Sequence, residues 1–190
     1  EMHESGLEEV KSPSEIFLSE RPVNAPGSVV VPSLEGTRPI LVEIQALVSS
    51  CNFGVPRRTT IGLDYNRVSL LAAVLEKRAG LHISGQDIFM NVAGGVRIEE
   101  PAIDLGIITS LASSLLNKPI ESDIVVFGEI GLAGEVRGVS QVELRLKESE
   151  KLGFRKCVLP RINLERLKRS DTDISLIGVG SIEKAIEALF

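Results

Sequence analysis

A chain of 190 residues, 43% of them hydrophobic, can bury one core of ordinary size, and with no Trp and one Tyr that core must be aliphatic. No apolar run approaches the roughly 20 residues that span a bilayer, and no basic-then-apolar leader opens the chain, so a cytoplasmic domain without membrane contact is expected. The net charge of −5 excludes a histone-like polycation, yet all of it is carried by residues 1–20, where Glu1, Glu4, Glu8, Glu9, Glu15 and Glu20 face Lys11 alone.

Residues 1–27 read as a linker. Gly6, Pro13, Pro22, Pro26 and Gly27 interrupt them, leaving room for one short helix near Ser14–Leu18. No initiator Met opens the chain, so it is expected to be a piece of something longer. From Ser28 the pattern turns to strands. "GSVVVPSLEGTRPILVE" reads as two strands around a Gly-containing loop, and Ile40, Val42, Ile44, Ala46 and Val48 alternate with Leu41, Glu43, Gln45, Leu47 and Ser49.

Helical spacing follows. Asp64 is placed to cap a helix running to Ala79, with Val68, Leu71, Ala72, Leu75 and Ala79 as its apolar stripe and Gly80 as its stop. A strand at "DIFMNV" and a Gly-rich loop lead to a second helix, near Ala102–Leu116, which is apolar almost all round and so is expected to be central. "SDIVVFGEIGLAGEVRGV" reads as a hairpin-like pair of strands around Gly131–Gly134. A third helix spans Gln141–Leu152 and is closed by Gly153. A strand at "KCVLP", a short helix near Leu164–Lys168, a strand at "DISLIGV" and a helix to Phe190 complete the chain. The fold class is mixed α/β (α+β), in a single domain spanning 28–190.

Few residues suggest chemistry. Cys51 and Cys157 lie far apart with no C-x-x-C pair and read as two buried thiols, and His3 and His82 have no ligand spacing, so no metal is assigned. Ala93–Gly95 lacks the Lys-Ser/Thr ending of a phosphate-binding loop. Between Arg57 and Arg97 the balance turns positive, with Arg57, Arg58, Arg67, Lys77, Arg78 and Arg97 against Asp64, Glu76 and Asp87. Together with Arg137 and Arg145, these Arg residues are the candidates for phosphate contact. Only Phe53 and Tyr65 lie nearby, so backbone contact is favoured over base stacking.

Three phrases in order, "NVAGGVRIEEPAIDLGIITSLASSL", "GEIGLAGEVRGVSQVELRLKESEKLGF" and "RKCVLPRIN", resemble the proteolytic domain of Lon proteases from Ser28 to Phe190. "GLEEVKSPSEIFLSERP", "EGTRPILVEIQALV", "PRRTTIGLDYNR" and "LLAAVLEKRAGL" are closer still to the version of that domain at the C-terminus of the RadA (Sms) family of bacterial DNA-repair proteins. The resemblance implies the Lon proteolytic-domain fold, within the ribosomal-protein-S5-domain-2-like superfold. It also implies that residues 1–27 are the exit from an upstream RecA-like ATPase.

Lon enzymes place a nucleophilic Ser at the start of the buried helix and a Lys about fifteen residues after the Gly of a Gly-Glu-Ile phrase, the Lys serving as a neutral amine that takes the Ser proton. Here those positions carry Asp104 and Glu143. The resemblance therefore implies no peptidase and no enzyme activity in this chain. A paired-carboxylate hydrolase is the weaker alternative. First-turn acids are more simply explained by free helix amides and the macrodipole, with Arg145 near enough to pair with Glu143. Ser110, Ser113 and Ser114 read as helix-packing residues. Membership implies a hexameric ring contacting single-stranded or branched DNA in branch migration, with RecA as a possible partner. ATP, Mg and Zn belong to upstream domains. A purely structural ring-former without DNA contact is the competing reading.

Overall fold

The alternating run through Ile40–Val48 becomes the longest strand of a seven-stranded sheet. In this computed structural model, residues 2–3, 6–7, 13–51, 54–167 and 172–190 are described. Two short strands, β1 (Met2–His3) and β2 (Gly6–Leu7), pair antiparallel, and α1 (Pro13–Leu18) follows. Next come β3 (Ser28–Glu35), β4 (Arg38–Ser50), β5 (Arg58–Ile61), α2 (Tyr65–Ala79), β6 (Gln86–Val92), α3 (Asp104–Leu116) and β7 (Ile124–Val126). The hairpin β8 (Glu129–Ile130) and β9 (Val136–Arg137) precedes α4 (Val142–Lys151), β10 (Lys156–Pro160), α5 (Arg161–Arg166), β11 (Ser175–Val179) and α6 (Ile182–Leu189). The sheet order is β11-β10-β7-β3-β4-β6-β5. Within this sheet only the β3–β4 and β4–β6 pairs are antiparallel, so the fold is mixed α/β with a mainly parallel sheet.

Both faces of this sheet are covered near its middle. Val29, Val31, Val42, Ile44 and Ala46 join the core beneath α2, α3 and α6, whereas Val30, Leu41 and Val125 face a second core with Val142 and Leu146 of α4. Each aliphatic side chain so buried contributes roughly 1.5–3 kcal/mol, which makes the centre of the sheet the main source of stability. The second helix is central, as its all-round apolar surface requires: residues 104–113 are all buried. α2 has its expected ends, with Asp64 Oδ1 accepting from Arg67 N at 2.7 Å and Gly80 left-handed at φ 69°.

The structure corrects the sequence in several places. "SDIVVFGEIGLAGEVRGV" is not one hairpin. β7 joins the main sheet, then Gly128 N donates to Ala102 O (2.7 Å) while Leu105 N donates to Gly128 O (3.0 Å). Those bonds tie the backbone to the start of α3 and force the chain out of the ladder, so β8 and β9 pair separately. The helix expected at Leu164–Lys168 begins earlier, at Arg161, because the amide of Asn163 turns inward to bond both Val139 N (2.8 Å) and Val139 O (3.0 Å). Lys168 lies outside the described residues, as does Phe53.

Packing also runs on through the expected linker. Ser14 is buried, and its Oγ accepts from Leu41 N (3.0 Å), a strand amide lying beyond the end of the β4–β6 ladder. Arg21 donates to Ser122 O (2.9 Å), and Gly27 N donates to Ser113 Oγ (2.8 Å). Residues 14–27 are thus a strap on the domain.

Candidate nucleic-acid interface

Asp104 and Glu143, the two positions that the resemblance to Lon equates with its dyad, are placed very differently. Asp104 opens α3 and is buried. Its carboxylate does not cap its own helix. It accepts from Ile130 N (3.0 Å) and from Arg67, whose Nε lies 2.8 Å from Oδ1 and whose Nη2 bonds Oδ2. Arg67 Nη2 also donates to Ile130 O (3.1 Å), so one fork ties α2, α3 and β8 together. Burial pushes the Asp104 carboxyl above its ordinary range, against the pull of Arg67 and the Ile130 amide. The hydrogen bond to Asp104 holds the one-third-exposed Arg67 guanidinium even more firmly charged than usual.

Glu143 is exposed on α4 and lines a groove with Val139, Asn163 and Arg166; Asp104 lines another, with Leu63, Ile98 and Glu129. The two acids therefore do not share a cleft, as paired-carboxylate hydrolysis requires. Among the serines, Ser110 Oγ donates to Ile107 O (2.9 Å), Ser113 Oγ to Lys118 O (2.5 Å), and Ser114 Oγ accepts from Val48 N (2.9 Å). All three bond backbone groups of their own helix or its neighbours, as packing residues do.

Arg145 must be withdrawn as a DNA-contact candidate, and as a partner for Glu143. It is fully buried, and its guanidinium pairs with Glu100, donates to Pro32 O (2.6 Å) and Ser140 O (3.1 Å), and lies 5.7 Å from the Phe127 ring centroid. Burial alone would raise the carboxyl of Glu100, but Arg145, Leu34 N and Ser33 together hold it below its ordinary range. No sequence signal marks Glu100. Arg145 carries one, since Val142, Arg145, Leu146 and Ser149 follow helical spacing and are the buried residues of α4.

The remaining candidates divide. Arg97 pairs with Glu99, and Arg137 with Glu135 and Glu129, all on the surface. Arg57, Arg58 and Arg78 have no ion-pair partner among the described residues. Arg57 is exposed at the entry to β5, anchored by its backbone N on Asp87 Oδ1 (2.7 Å). Arg58 is half-buried and shares a groove with Lys77 and His82. Arg78 follows Lys77 in the last turn of α2, where cations also offset the helix dipole. The structure thus brings Arg58 and Lys77 into one groove at the β5–α2 edge, with Arg57 next to it at the entry to β5, whereas Arg78 lies against the 131–134 turn, its Nε donating to Leu132 O (3.4 Å). His82, solitary in sequence, belongs to the same edge.

One of the two thiols differs from expectation. Cys157 is buried, and burial raises its pKa strongly, but Cys51 is only half-buried beyond β4. Among the described residues no cluster of His, Cys, Asp or Glu could hold a metal ion, and no helix is long and apolar enough to cross a membrane. The Ala93–Gly95 loop packs against α1. A Cβ at Gly94, left-handed at φ 84°, would lie 2.4 Å from Cδ1 of Phe17, so α1 fills the space beside it.

A family model described as subunit ChlI of Mg-chelatase matches residues 50–163, a span that includes every candidate named above. The chain belongs to this family. Beyond the ChlI match, its whole length is similar to RadA proteins, in their C-terminal region. It is 55% identical to the DNA repair protein RadA of Halalkalibacterium halodurans and 53% identical to that of Bacillus subtilis, over 98% of its length in each case. Identity to the RadA of Streptococcus pneumoniae is 47% over 100% of the chain. These alignments cover 41%, 40% and 45% of the relatives, so the chain spans less than half of the curated proteins it matches.

Proposed function

We propose that this chain is the non-proteolytic, Lon-like module of a RadA-type DNA branch-migration protein acting in recombinational repair. In this reading it helps to close a hexameric ring and holds DNA by its backbone. The observation that carries it is the β5–α2 edge, where Arg57, Arg58 and Lys77 stand without ion-pair partners among the described residues, as does Arg78 on the other side of the same helix turn. The relatives' name, DNA repair protein, supplies the context. Cations in a chain with so few aromatic residues suit phosphate contact without sequence preference. Asp104, committed to Arg67, and Glu143, exposed elsewhere, support the absence of proteolysis. ATP, Mg and Zn are assigned to upstream domains, residues 1–27 to the exit from a RecA-like ATPase, and the whole protein to the cytoplasm, with RecA among its partners.

The test is binding of labelled oligothymidylate across a salt series. Each of Arg57→Ala and Arg78→Ala is expected to lower the slope of log affinity against log salt by about one unit. Arg97→Ala, at a residue already paired with Glu99, should lower it less. Equal slopes for all three variants and the parent would leave a ring-former without DNA contact. Cleavage of casein by the unmodified chain would restore the peptidase.

A further inference from the structure

A groove of about 460 Å³ runs between β5 and the C-terminal half of α2, lined by Arg58, Ala73, Glu76, Lys77, His82 and Ser84. Its bonding is incomplete in one respect. Arg58 Nε is buried and has no protein acceptor, one of two such side-chain atoms among the described residues. The other, Ser69 Oγ, lies on α2, the helix that packs against β5. A buried, charged N–H without an acceptor is costly, so such a group is normally met by an anion or a water.

The acid in the groove does not meet this need. Glu76 accepts from Ile83 N (2.9 Å), Ser84 N (2.6 Å) and Ser84 Oγ (3.0 Å). These bonds to the 83–84 loop hold its carboxyl below the usual range, so it remains ionised, and it forms no ion pair with Arg58 or Lys77. The negative end of α2 would by itself repel an anion, and Lys77 and Arg78 in its last turn offset that field. A guanidinium beside an ammonium is a donor set that recognises phosphate.

We infer that this groove is a phosphate-binding pocket in which Arg58 and Lys77 hold phosphoryl oxygens and His82 stands at the mouth. The chemistry follows from the groove alone; naming a DNA phosphodiester as the source of the phosphate rests on the function proposed above.

The arginine Nε–Hε spectrum of the chain tests it, with inorganic phosphate and oligothymidylate added in separate titrations. The Arg58 cross-peak is expected to shift saturably with each, phosphate to compete with oligothymidylate for it, and the Arg97 cross-peak to stay in place. Lys77→Gln, at an exposed position that leaves the core intact, should weaken phosphate binding roughly tenfold, the effect of one charge-assisted hydrogen bond. Arg58→Lys should weaken it too, read from the Ser84 backbone amide. An Arg58 cross-peak unmoved by both additions would overturn the pocket and assign the buried N–H to water alone. Oligothymidylate binding that persisted there and still depended on Arg57 would leave the DNA reading standing. A shift with phosphate but not with oligothymidylate would keep the pocket, assign it to a free phosphate ester and remove it from the DNA path.

Discussion

At the start of α3 the buried charge is an acid, Asp104, and its cation, Arg67, arrives from α2. At the start of α4 the buried charge is the cation, Arg145, and its acid, Glu100, arrives from the loop before α3. Both helices carry an acid in the first turn, yet only one of those acids enters the protein. Asp104 faces inward, where Ile130 offers an N–H and Arg67 a fork; Glu143 faces out, because the inward stripe of α4 is taken by Val142, Arg145, Leu146 and Ser149. An acid near a helix N-terminus is therefore read correctly only together with the face it occupies.

The comparison is broken most severely at Arg145. Arg145→Ala would leave Glu100 half-buried without its cation, Pro32 O without its donor and a cavity against Phe127. Removing one partner of a buried pair costs about 3–5 kcal/mol, so the urea midpoint should fall steeply or the chain should not fold. A loss under about 1 kcal/mol, the scale of exposed pairs, would mean that Arg145 can reach solvent and belongs again among the DNA candidates.

A smaller effect is expected on the other side. Asp104→Ala strands Ile130 N, but Arg67 is one-third exposed and can turn to water, so about 2–3 kcal/mol should be lost. Asp104→Asn should be milder, because it keeps the shape and an acceptor oxygen, and because burial already disfavours the charge it removes. An Asn variant as unstable as the Ala variant would show that the charge itself holds the clamp.

Acid sharpens the contrast, since the two buried carboxyls titrate in opposite senses. Glu100 is held below its ordinary value of 4.5, so it stabilises the fold above that pH and the contribution is lost as pH falls through its lower folded value. Asp104 is held above its ordinary value of 3.8, so its linked contribution is present below that pH and is lost as pH rises through its higher folded value. Glu100→Gln should therefore flatten the acid limb of a stability-against-pH curve below 4.5, and Asp104→Asn should steepen it. The measurement is the urea midpoint from neutral pH downward. Parallel limbs for parent and both variants would remove these two groups from the acid response.

How much of this was legible depends on distance along the chain. Both ends of α2 could be read from Asp64 and Gly80, because a cap acts within one turn of its own residue. The two cores could be read from alternation in β4, where period two is local. Pairs such as Arg145–Glu100 and Arg67–Asp104 join residues 45 and 37 positions apart and leave no periodic trace. The β5–α2 edge was half legible. Arg57, Arg58 and Lys77 stood out as a local excess of positive charge, but the grouping with His82 depends on α2 folding back beside β5.

The smallest predicted effect is the most exacting for the comparison. The resemblance to Lon equates Glu143 with the Lys of that dyad, and on that likeness alone it should matter. In the fold it is exposed, makes no ion pair among the described residues, and sits outside the buried stripe of its helix. Exposed substitutions away from caps, pairs and cores stay within about 0.5 kcal/mol, and an acid in the first turn adds at most a few tenths through the dipole. Glu143→Ala should therefore shift the urea midpoint little and leave oligothymidylate binding unchanged, and Glu143→Lys should do the same. Neither Glu143→Lys nor its combination with Asp104→Ser should produce peptide cleavage, since the two positions face different clefts. A Glu143→Ala loss above about 1 kcal/mol would exceed anything an exposed site explains, and would place Glu143 in a contact between subunits. Light scattering on the same variant separates the cases, because a buried intersubunit acid would change the oligomer and a solvated one would not.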